Sequence, residues 1–75
     1  MNKERRGRIG KVIEQLNDLQ TEITDIQEQE QEAHDNLPES LADGDRGAAM
    51  EENTDRLEEA SASLQEAIDG LEAIG

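Results

Sequence analysis

The chain has 75 residues, no Cys, no Phe, Tyr or Trp, and 20 acidic against 7 basic side chains, for a net charge of −13. These features exclude a disulfide, a thiolate zinc site and aromatic stacking onto nucleobases, and they argue against direct nucleic-acid binding. A single small domain of this size draws only a few kcal/mol from its core and is usually supplemented by a disulfide, a metal or oligomerisation. With no Cys and one His (His34), oligomerisation is the remaining route. There is no bilayer-spanning apolar run and no signal-peptide core, so a cytoplasmic location without membrane contact is expected.

The first element is a helix predicted over about residues 3–35. Residues 11–32 are rich in Glu, Gln, Leu and Ile and hold no Gly or Pro. Ile9, Leu16 and Ile23 stand seven residues apart, with Val12, Leu19, Ile26 and Ala33 between and beyond them. This is a heptad with apolar a and d positions. Its start is basic. Residues 1–11 carry five basic side chains (Lys3, Arg5, Arg6, Arg8, Lys11) against one Glu, or +4, leaving −17 for residues 12–75.

Residues 36–45 form the turn. Leu37 precedes Pro38, which disfavours the α region and ends the helix near Asn36. A single helical turn is possible over Pro38 to Leu41, and Leu37 and Leu41 are expected to fold over the end of the core. Asp43 or Asp45 is the expected N-cap of the next helix. Asp43-Gly44-Asp45 has a passing likeness to a calcium loop, but the bidentate Glu at the required offset is missing.

The second long helix is predicted over about residues 46–74. Met50, Leu57, Leu64 and Leu71 repeat every seven residues, with Ala60, Ala67 and Ile74 completing the stripe and Gly70 expected to fray the last turn. Two helices of equal length joined by a short turn imply an all-α fold, an antiparallel αα-hairpin with a coiled-coil-like seam. The expected core and oligomer seam is Ile9, Val12, Leu16, Leu19, Ile23, Ile26, Met50, Leu57, Leu64, Leu71 and Ile74. Folding about Ala42 sets Glu30 level with Asn53 as a shared polar layer, a device that fixes register. Ile13 and Ile68 widen the stripe beyond what one partner helix covers, so self-association into a dimer or larger bundle is expected.

No nucleophile, base and orienting group come together in the sequence, so no catalysis and no cofactor or metal is expected. His34 beside Asp35 reads as a solvated residue. The basic start is more informative, because cations at a helix N-terminus oppose its dipole. Either Glu66, Asp69 and Glu72 at the end of the other helix compensate it, or an external anion does. Arg5, Arg6, Arg8, Lys11 and, in the turn, Arg46 are the candidate phosphate ligands. Gly7 and Gly10 would allow close approach of a ligand or backbone. Arg56 is expected to pair with Glu52 or Glu59 one turn away. The acidic outer faces form rows of negative charge that could imitate a nucleic-acid backbone.

The run Asp35-Asn36-Leu37-Pro38-Glu39-Ser40-Leu41, followed by Arg46-Gly47 and Met50-Glu51-Glu52, resembles the turn of short acidic two-helix proteins of phages and prophages. The resemblance covers nearly the whole chain. By a weaker analogy it extends to small oligomeric phage proteins that act as sponges for cyclic nucleotide immune signals. The analogy implies a non-enzymatic counter-defence protein of the host cytoplasm that holds an anionic ligand with Arg or Lys. The alternative expectation is an acidic module that occupies a basic host protein.

Overall fold

The computed structural model describes residues 1–42 and 44–74, Ala42 by its backbone alone. The helices are α1 (Lys3–Asp35), α2 (Glu39–Ala42) and α3 (Asp45–Glu72), and the described residues contain no strand. The long antiparallel pair α1 and α3 gives a rod 59 Å long and 14 × 11 Å across.

Local chemistry sets the helix ends. Asn2 caps α1, its side-chain oxygen accepting the Arg5 backbone N–H at 2.9 Å, which satisfies one of the orphan donors of the first turn. Asn36 closes the helix before Pro38. α2 is a single turn behind Pro38, whose carbonyl accepts the Leu41 N–H at 2.8 Å. Gly44, not Asp45, is the N-cap of α3, and it makes no side-chain capping bond. Asp45 is instead the first residue of the helix, where its charge still suits the dipole. Asp43, the other expected cap, lies outside the described residues. At the far end α3 passes through Gly70 and stops at Glu72, two residues short of the expected end.

The seam is rotated from the expected one. The half-buried residues of α1 are Ile9, Ile13, Leu16, Gln20, Ile23, Gln27, Glu30 and His34. On α3 the half-buried or buried ones are Gly47, Met50, Thr54, Leu57, Ser61, Leu64, Ile68 and Leu71. These are heptad positions a and e. The d positions Val12, Leu19 and Ile26 remain 43%, 50% and 47% exposed. One bond fixes the register: the Gln20 side-chain amide donates to the Ser61 carbonyl at 3.1 Å. It sets Ile13 level with Ile68, Gln27 with Thr54, and His34 with Gly47. Between these lie Ile9 with Leu71, Leu16 with Leu64, Ile23 with Leu57, and Glu30 with Met50.

Several expectations change as a result. Ile68, 2% exposed, is the most deeply buried large side chain described. With Ile13 it belongs to the hairpin's own core and needs no second copy. Asn53 is exposed while Glu30 is half-buried, so the two do not share a layer. His34 is half-buried in the seam, level with the buried Gly47, rather than solvated. Leu37 is half-buried as expected, but Leu41 is 44% exposed. Ile74 lies past the end of α3 and leaves the stripe.

Candidate functional site

The two termini of the rod lie side by side, and a groove opens between them. Met1, Arg5, Arg8, Ile9, Val12 and Leu71 line a volume of about 310 Å³. Heptad geometry explains this mixture. Ile9 and Leu71 are a positions and form the floor, Val12 and Arg5 are d positions on the outward edge, and Arg8 is the neighbouring g position. The result is an apolar floor with guanidinium groups on its rim. Such a rim offers planar, bidentate donors to phosphate, and a floor of aliphatic side chains accepts the face of a ring.

Arg5, Arg8 and Lys11 are exposed and make no ion pair among the described residues. The expected compensation by Glu66, Asp69 and Glu72 is therefore not made by these three cations. Asp69 instead accepts a bond from the Gln65 side chain one turn earlier, at 2.9 Å. Arg6, an e position, lines an adjoining cleft of about 370 Å³ that shares Ile9 and Leu71 with this groove and adds Gly10, Ile13, Glu72 and Ile74. A side chain added at Gly7 or Gly10 would meet nothing within 4 Å. These glycines leave open space beside the basic cluster, with no backbone packed against it.

Arg46 is exposed on the first turn of α3, level with Asp35 and at the opposite end of the rod. Within one chain it cannot join Arg5 and Arg8. Arg56 bonds Glu52 through two nitrogens at 3.0 and 3.3 Å, the expected pairing one turn back.

Gln20 escaped the sequence reading as a functional position. Its signal was present: it sits seven residues before Gln27, which sits seven before His34, a polar row opposite the small residues Gly47, Thr54 and Ser61. His34 approaches Asp35 at 3.9 Å, a contact between chain neighbours. Among the described residues no group of three or more His, Asp or Glu side chains is arranged to hold a metal ion, and no helix is long and apolar enough to cross a membrane. Comparison with family models, curated proteins and solved structures returns no match for this chain.

Proposed function

We propose that this chain is a non-enzymatic, self-associating phage counter-defence protein of the host cytoplasm that binds and sequesters a cyclic nucleotide signal. One observation carries the reading: the groove at the paired termini joins an aliphatic floor to two guanidinium groups, those of Arg5 and Arg8, that are not committed to carboxylates. A nucleotide has the matching halves, a flat base for Ile9 and Leu71 and a phosphate for the arginines. No aromatic side chain is needed, because the base buries its face against aliphatic carbon.

Self-association has separate support. The d stripe left outside the hairpin (Val12, Leu19, Ile26, Ala33, Ala60 and Ala67, with Asn53 and, at its ends, Arg5 and Arg46) holds three large apolar side chains, whereas in the e stripe inside it only Ile13 and Ile68 are large and apolar. A hairpin burying surface for itself alone would gain more from the other choice.

Calorimetry against a panel of cyclic di- and trinucleotides and cyclic ADP-ribose isomers tests the sequestration. Binding in the micromolar range or tighter, lost on R5E/R8E substitution with helicity retained, is the expected result. No binding by any of the panel at micromolar concentration ends this reading.

A second reading rests on the outer face of α1. Glu14, Asp18, Glu22 and Asp25 are exposed at three- and four-residue spacing and make no ion pair among the described residues. A module using this face would capture a basic host protein, with affinity that collapses at high salt. Capture that persists in 0.5 M salt would contradict it.

A further inference from the structure

We infer that two copies of this chain pack face to face and head to tail through the exposed d stripe, with the two-fold axis beside Leu19. This specifies the self-association proposed above, rests on it, and does not depend on the nucleotide.

Start with the face. Val12, Leu19 and Ile26 stand on α1 beside Ala60 and Ala67 on α3. In an antiparallel pair joined through a and e, the d positions of both helices lie on the same side, so these five residues form one surface. At 59 by 14 Å the whole side of the rod covers roughly 800 Å², the area each partner contributes to a standard interface, and its apolar part, from Val12 to Ile26, spans about a third of that length. The apolar part is centred on Leu19, seven residues from each outer neighbour. A two-fold axis there sets Val12 of one copy against Ile26 of the other.

Charge chooses between the two ways of stacking this face. Residues 28–53 hold nine carboxylates against Arg46 alone, or −8. At the other end, residues 1–14 contribute +3 and residues 67–75 contribute −2, or +1. Same-end stacking places −8 beside −8, at helix separations near the screening length of about 8 Å, where repulsion is still felt. Head-to-tail stacking places −8 beside +1 at both ends.

The arrangement also brings a third arginine, among the carboxylates of that end, to the edge of the groove. Arg5 and Arg46 are themselves d positions, seven residues before Val12 and Asn53. With the axis at Leu19, Arg5 lies level with Ala33 of the second copy. Arg46 of the second copy, one step along on α3, then borders the groove that Arg5 and Arg8 line. Two such composite sites form per dimer.

Because the chain has no cysteine, the test is direct. Sedimentation equilibrium of the unmodified chain is expected to give a dimer. Leu19→Cys, at an exposed position that does not disturb the hairpin core, is expected to form a disulfide-linked dimer with oxidised glutathione. A monomer at tens of micromolar overturns the inference. So does a dimer in which L19C stays uncrosslinked, and a crosslink between separate L19C and Ala60→Cys chains would then identify same-end stacking. Neither readout involves a nucleotide, so failure here and failure of the sequestration reading are separable.

Discussion

The two halves of the rod share one heptad and differ in what fills it. Toward the termini the facing levels are Ile9 and Leu71, Ile13 and Ile68, Leu16 and Leu64, and Ile23 and Leu57, with one polar level, Gln20 and Ser61, among them. Toward the turn they are Gln27 and Thr54, Glu30 and Met50, and His34 and Gly47. The spacing of half-buried positions is the same in both. Periodicity therefore aligns the helices along their whole length, while burial of aliphatic surface, the dominant favourable term in folding, is concentrated at one end, with Leu37 and Met50 half-buried at the other. The difference also locates the groove: Ile9 and Leu71 form its floor on the aliphatic half, with Val12 on its edge.

The sharpest way to break this contrast is to remove its anchor. Ile68→Ala is expected to cost about 3 kcal/mol, read as a lower urea midpoint by circular dichroism, because a fully buried isoleucine loses both transfer energy and packing. Met50→Ala, half-buried opposite Glu30, is expected to cost about 1.5 kcal/mol or less. Equal costs at the two sites would erase the distinction between the halves.

Two substitutions sharpen it. Gln20→Ala removes the bond that crosses to the Ser61 carbonyl and is expected to cost about 1 kcal/mol. Glu30→Leu extends aliphatic packing toward the turn and is expected to gain about 1 kcal/mol, raising the thermal midpoint. A loss on this second change would mean that the carboxylate makes a needed contact. The smallest effect belongs to Arg56→Ala, whose pair with Glu52 is largely exposed. It is expected to cost less than about 0.5 kcal/mol, and that cost should shrink as salt is added.

The sequence carried the fold at the level of elements and left the face undecided. The leucine and isoleucine heptads, the Pro38 break and the lack of internal breakers are local signals, and each was legible. Whether a pairs with d or with e depends on the partner helix. That choice turns on Gly47, Thr54 and Ser61, small residues whose meaning appears only when Gln20, Gln27 and His34 are placed against them. Glu30 and Asn53 show the same limit: counting from the turn matched them, and the observed register, with Glu30 level with Met50, parted them by three residues. At the candidate site the basic residues were legible from composition. That Arg5 and Arg8 share a groove with Ile9, Val12 and Leu71, that Arg6 lines the adjoining cleft, and that Arg46 stands a rod's length away are facts of helix phase and three-dimensional placement.

Residue-resolved amide hydrogen exchange of the unmodified chain tests most directly the claim that the terminal half holds the hairpin together. Protection reports the free energy of local opening. The slowest amides are expected within residues 9–23 and 57–71, with residues 27–34 and 47–54 exchanging at least tenfold faster. Uniform protection along both helices, or slower exchange beside the turn, would contradict the account.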